Sequence, residues 1–400
     1  MAEPNDTDVA DNARLEPAAG AGLDGDVDPI GDVTDVPAAK PAHRTWLRIL
    51  GKIGTFAIAL FLFVLAIQLM KEGAKAIAPS LTDSPLFSNA ISTLGAGWLG
   101  AYIVLSGSPI AAVALSLYVG GALTELQTFT MLSGSRLGAS FVVLLVGFLY
   151  AMRNRGQHRA ESIGMGVLAL SLTAIVYVPG MLIGYWILKA GMLDGIQLSA
   201  SQDVLSVIDI VWGPALDLLT NLPGWMLLPL GLGIILLSFR FLDRVLPELD
   251  AEHHGGKRAD WLKRPWPMFA LGCIVATLTL SVSVALTILV PLASRGYIRR
   301  EESIPYIMGA NITTLADTLV AAMVLGSSVA VHIVLAEAIG VSIVSLVYLA
   351  VLFGPMKRWI MALDEWVVSS NRRLWAFVAV LFVLPAIFLT SGIWLGPITN

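Results

Sequence analysis

Residues 93–119 read TLGAGWLGAYIVLSGSPIAAVALSLYV, an apolar run of membrane-spanning length broken at its centre by Leu105-Ser106-Gly107-Ser108. Residues 267–293 read PMFALGCIVATLTLSVSVALTILVPLA, and their centre is Leu280-Ser281-Val282-Ser283. The two centres lie 175 positions apart. Two further matches share that offset: Gly121 with Gly296, and Gly134-Ser135-Arg136 with Gly309-Ala310-Asn311. Three matches in ungapped register mark an internal repeat. Each half of a broken run has about 12 residues, roughly 18 Å of helix, too short to cross a bilayer. Ser106-Gly107-Ser108-Pro109 suits a reversal, because glycine loosens a helix and proline removes an N–H. The reading is a re-entrant helical hairpin in each repeat; the alternative is one long tilted helix with a kink. Broken backbone at membrane depth must be buried in protein or line a polar cavity.

Around these runs the chain is written for a bilayer. Of its 400 residues, 56% are hydrophobic and only 14% are charged, against about 25% charged in a soluble domain. Mean hydropathy is +0.78. Further apolar runs near spanning length are 53–70, 136–151, 163–188, 226–242, 304–325, 329–353 and 374–394. The net charge of −4 divides into −7 over residues 1–45 and +3 over the rest. This composition excludes a soluble enzyme, a nucleic-acid binder and, with Cys273 as the single cysteine, a disulfide scaffold. The expected fold class is all-α: a polytopic helical membrane protein with two inverted repeats. Residues 1–45 are expected to be a disordered acidic cytoplasmic tail with no secretory signal. Residues 46–188 form the first membrane repeat, 189–224 an extracellular polar segment, 225–354 the second repeat with a cytoplasmic loop at 243–266, and 355–400 a C-terminal loop and final spanning helix.

Lys and Arg favour cytoplasmic loops. Arg44, Arg48 and Lys52 place the N-terminus inside, as Arg153, Arg155 and Arg159 place their loop; Lys71 and Lys75 dissent. Residues 120–130 hold no base, whereas the matching 295–305 stretch holds Arg295, Arg299 and Arg300. Opposite loop charge is what two repeats of opposite membrane orientation would show, and such repeats place a substrate site near the midplane where they meet. The location expected is the cell membrane, multi-pass, with the N-terminus cytoplasmic.

Leu60–Pro79 (LFLFVLAIQLMKEGAKAIAP), Leu81-Thr82-Asp83-Ser84-Pro85-Leu86 and the serine motifs resemble the type II sodium/phosphate cotransporter family. That family carries two inverted repeats, each with a Gln-Ser-Ser-Ser motif followed by Gly-Ala-Asn-Ile-Gly-Thr-Thr. Gly309-Ala310-Asn311-Ile312-Thr313-Thr314 is the strongest match; the first repeat reads Gly134-Ser135-Arg136-Leu137-Gly138-Ala139-Ser140. Leu105 and Leu280 stand where the family has glutamine, Gly107 and Val282 where it has the middle serine, and Arg136 where it has asparagine. The resemblance implies sodium-coupled symport of inorganic phosphate by alternating access, with phosphate, sodium and the bilayer as partners. No nucleic acid, resident cofactor or covalent chemistry is expected, and a homo-oligomer is compatible with the sequence. A transporter of another anion without sodium coupling, or a non-transporting sensor or scaffold of the same fold, are the alternatives.

The candidate substrate and ion residues are Ser106, Ser108, Ser281, Ser283, Arg136, Asn311, Thr314 and Asp317, with Thr313 beside them. Serines at a helix break offer hydroxyls to a cation or an anion; each can instead bond back to its own helix. Arg136 presents a fork suited to an oxyanion, stands as a fixed cation in place of a sodium ion, or snorkels at the membrane edge. Asp317 reads as a cation ligand or proton carrier. Glu337 reads as structural, paired with His332 or another helix. Asn311, Thr313 and Thr314 offer oxygens, or bond between helices. His253-His254 has no third ligand at metal-site spacing, and no nucleotide-binding loop is present.

Overall fold

The computed structural model describes residues 42–153, 159–196, 198, 202–245, 264–279, 281–294 and 298–396. Residues 1–41 of the expected acidic tail, most of the 243–266 loop with His253 and His254, and Leu280, Arg295 and Gly296 lie outside them. Contacts divide the chain into Met1–Arg48, of which only the opening of a helix from Ala42 is described, and Ile49–Asn400.

The described residues are helical, with no strand among them. Seven helical stretches are long and apolar enough to cross a membrane: Leu50–Thr82, Glu125–Arg153, Glu161–Lys189, Gly224–Arg244, Arg300–Val324, Ser328–Ala350 and Asn371–Leu395. They correspond to the seven runs read from sequence and are compatible with a multi-pass membrane protein. The first belongs to α1 (Ala42–Thr82). Lys75 on it pairs with Glu72 at 2.7 Å, which neutralises one of the two dissenting bases.

Both central runs are broken. The first makes α2 (Ala90–Val104) and α3 (Gly107–Val119). A Cβ built at Gly100 would lie 3.3 Å from Ile110 Cδ1, so the chain folds back across the break instead of continuing as one helix. Leu105 caps α2 with φ 56°, the left-handed region where glycine is the usual occupant. α4 (Glu125–Ala139) and α5 (Phe141–Arg153) follow, then α6 (Arg159–Lys189). The second run makes α9 (Pro265–Thr279), α10 (Val282–Thr287) and α11 (Leu289–Ser294). Next come α12 (Arg300–Thr313), α13 (Leu315–Val324) and α14 (Ser328–Ala350).

The offset of 175 recurs in the structure. α2 and α9 start and stop at positions related by it. The entry to α4 is closed by a capping box in which Gln127 accepts the Thr124 N–H at 2.9 Å; at the entry to α12, Glu302 accepts the Arg299 N–H at 2.9 Å. The helix pairs touch through matching glycines. A Cβ at Gly97 would lie 2.0 Å from Met131 O, and one at Gly134 2.1 Å from Leu94 O. At the related positions, a Cβ at Gly272 would lie 2.1 Å from Tyr306 O, and one at Gly309 2.2 Å from Phe269 O. Small residues let helix backbones meet where lipid supplies no hydrophobic drive. The glycine of each repeat motif is therefore a packing residue.

Two regions differ from the sequence reading. The 189–224 segment, expected to be simply polar, holds α7 (Gln202–Leu219), an amphipathic helix. Its Trp212 stacks on Phe61 at 5.4 Å and donates Nε1–H to Phe61 O at 2.8 Å. The C-terminal part forms α15 (Phe353–Val368) and α16 (Asn371–Leu395). Arg300 at the start of α12 pairs with the buried Asp364 of α15. The remaining helix, α8 (Gly224–Val245), packs closely on α1: a Cβ at Gly73 would lie 2.4 Å from Leu228 N.

Candidate functional site

The breaks place the serines. Ser106 and Ser281 are the N-caps of α3 and α10, both with extended backbone (φ −156° and −151°). Their neighbours two residues on, Ser108 and Ser283, fall in the first turn of each helix. All four line one partly open cavity of about 190 Å³, which Leu236, Phe239, Arg240 and Asp243 of α8 also line. The tips also touch each other: Ser283 donates its hydroxyl to Leu105 O at 3.1 Å. Ser281 Oγ accepts the Val284 N–H at 3.3 Å, a local cap. Ser106 makes no such cap bond.

Arg136 lies behind this cavity. It is only 2% exposed, so it does not snorkel at the membrane edge. Its Nη1 donates to Ser108 Oγ at 3.2 Å, and its Nη2 donates to Thr318 Oγ1. Nη2 also stands 3.6 Å from Asp317 Oδ1, which accepts the Thr318 hydroxyl at 2.9 Å. The guanidinium of the first repeat motif thus pairs with a carboxylate 181 positions later, on α13. A buried charge is tolerated when it is paired and hydrogen-bonded, and Arg136 with Asp317 meets that condition. Arg136 Nε and Asp317 Oδ2 are buried and find no hydrogen-bond partner.

Asn311 and Thr314 are buried but turn elsewhere. Asn311 Nδ2 donates to Thr173 Oγ1 of α6 at 3.2 Å, and Tyr177 donates its hydroxyl to Asn311 O at 2.8 Å. Thr314 Oγ1 donates to Asn311 O at 3.2 Å, and Thr313 Oγ1 to Cys273 O at 3.2 Å. Asn311 and Thr313 join helices, Thr314 bonds locally, and none of the three lines the serine cavity. The eight candidates therefore form a cavity wall of four serines, an Arg136–Asp317 pair in contact with it through Ser108, and a separate Asn311–Thr314 network.

Glu337 is fully buried and bonds to Ser133 of α4 at 2.8 Å, not to His332, whose Nε2 lies 2.8 Å from Ile196 O. Ser133 Oγ also lies 2.9 Å from Phe129 O, the carbonyl one turn earlier. The Ser133 hydroxyl is therefore shared between two acceptors, its own helix carbonyl and the Glu337 carboxyl. An unpaired carboxylate at this depth would be costly.

Residues the sequence reading missed are Thr318, Thr173 and Tyr177, and the cavity residues Arg240 and Asp243. The last two look like ordinary charges at the end of an apolar run; only the fold turns them toward the serines. Among the described residues no group of three or more His, Cys, Asp or Glu is gathered. Comparison with known protein families, with curated proteins and with solved structures returned no match.

Proposed function

We propose that the chain is a secondary transporter that carries inorganic phosphate across the cell membrane by alternating access between two inverted repeats. The observation that carries this reading is the serine cavity: two broken runs, far apart in sequence, bring four hydroxyls to one space. The matching helix limits, capping boxes and glycine contacts support a structural repeat. The opposite charge of the 120–130 and 295–305 stretches supports its inversion. Short helices that fold back at depth are the arrangement re-entrant hairpins would have. The charge rule puts the 243–266 loop inside, so a cavity beside the last turns of α8 would open inward.

The resemblance to sodium/phosphate cotransporters favours sodium coupling. The Arg136–Asp317 pair favours a second reading, a sodium-independent oxyanion carrier. The Asp317 carboxylate already has a cation beside it, so a fixed guanidinium supplies positive charge that a bound ion would otherwise bring.

Uptake of labelled phosphate into proteoliposomes, with and without an inward sodium gradient, tests both. Phosphate uptake driven by sodium is the expected result. Uptake indifferent to sodium selects the second reading, and failure to move phosphate or any other anion favours a sensor or scaffold.

A further inference from the structure

Arg136 cannot serve as the counter-charge of an anion in the serine cavity. Its two terminal nitrogens are occupied by Ser108, Thr318 and Asp317, and it does not line the cavity wall. The charged side chains on that wall are Arg240 and Asp243, one turn apart on α8. Both remain open to solvent, and neither makes a hydrogen bond or ion pair with another described residue. Arg244, next along the chain, lies over the Phe241 ring at 5.6 Å.

Two hydroxyls of the wall are arranged as donors. Ser281 Oγ accepts from the Val284 N–H and so keeps its own proton to give, whereas the Ser108 hydroxyl accepts from Arg136 and turns toward Asp317. The Ser106 hydroxyl makes no bond among the described residues. Two free hydroxyl donors, Ser106 and Ser281, and one guanidinium therefore share the wall with a single strong acceptor, the Asp243 carboxylate. A cavity of about 190 Å³ holds a tetrahedral oxyanion, which takes about the volume of two or three waters, roughly 60–90 Å³.

We propose that Arg240 and Asp243 are the selectivity pair of this cavity, and that they admit tetrahedral oxyanions that carry a proton of their own. Arg240 attracts the anion. Asp243 accepts a hydrogen bond from a protonated oxygen of hydrogen phosphate or dihydrogen phosphate. Sulfate carries no proton at neutral pH and would set bare oxygen against bare carboxylate. A site that demands a substrate hydroxyl rejects the isostere lacking it, because its own polar group is left unpaired.

This inference rests on the transporter reading, and one series separates the two. Uptake of labelled phosphate by the full chain in proteoliposomes is measured with unlabelled phosphate, arsenate, sulfate or selenate as competitor. Arsenate, which carries a proton, is expected to compete like phosphate, and sulfate and selenate at least about tenfold more weakly. Asp243→Asn replaces the acceptor with a group that can also donate, so sulfate should gain and phosphate lose, narrowing the ratio. Arg240→Gln should weaken every oxyanion alike. Equal competition by sulfate and phosphate in the unaltered protein overturns the pair even if Asp243→Asn fails to fold. So does an unchanged ratio in Asp243→Asn, which would leave both residues as membrane-edge charges while phosphate uptake persisted. Absence of any uptake overturns the transporter reading as well.

Discussion

Pro109 and Pro291 sit at different depths in otherwise matching arms. Pro109 is the third residue of α3, where its missing N–H would have found no helical partner anyway. α3 therefore runs unbroken for 13 residues. Pro291 falls nine residues beyond the start of α10, leaves Thr287 O without its intrahelical donor, and the arm divides at Ile288 into two helices of 6 residues each. The bonds that bridge the division are long, 3.4 Å from Ile288 N to Val284 O and 3.5 Å from Leu292 N to Ile288 O. The motif helices differ too. Arg136 carries a buried charge across to the other half, while Asn311 at the related position makes neutral bonds to α6. The glycine framework is held in common; the arm and the charge are where the halves diverge. Packing geometry admits few substitutes, whereas the arms beyond the tips are unbroken in one half and jointed in the other.

The sharpest way to break this comparison is to remove the charge that sets the first half apart. Arg136→Ala and Asp317→Ala each strand a buried charge and should cost about 3–5 kcal/mol of stability, read as thermal unfolding in detergent. The combined Arg136→Ala, Asp317→Ala protein should lose less than the sum of its two single changes. Additive losses would mean that the two residues do not form a pair. Next in size, Gly134→Ala and Gly309→Ala place a methyl against backbone on the facing helix and should each cost about 1–3 kcal/mol. The two losses should agree closely; one tolerated and one not would end the equivalence of the halves. Pro291→Ala restores a donor for Thr287 O and should stabilise by about 1–2 kcal/mol, with slower amide exchange at residues 287–292. Unchanged exchange there would assign the division to another cause. Smallest of all, Glu337→Gln keeps an oxygen to accept from Ser133 and should shift stability by less than about 1 kcal/mol. A larger loss would show that the carboxyl is ionised.

What could be read in advance follows from where each signal lives. The spans were legible because a bilayer demands long apolar runs. The repeat was legible because Gly134 and Gly309 must stay small, and their spacing is written in the chain. Ser106 and Ser281 were legible as a pair because each follows a break in the same register. The state of Arg136 was not, because its ion-pair partner lies 181 positions away and the residue alone looks the same at a membrane edge. Arg240 and Asp243 were hidden for the same reason. α7 was missed because its apolar residues are spread over one helical face, and Asp203, Asp209 and Asp217 make the segment look polar when read linearly.

The bond from Ser283 to Leu105 O ties the two tips together. A single neutral hydrogen bond of this kind contributes about 1 kcal/mol net, less than twice the thermal energy RT. Parting the tips would therefore impose little barrier of its own. The pace of any larger movement would be set by the helix bodies, whose collective shifts take microseconds to milliseconds, with the tips opening and reclosing many times within each one.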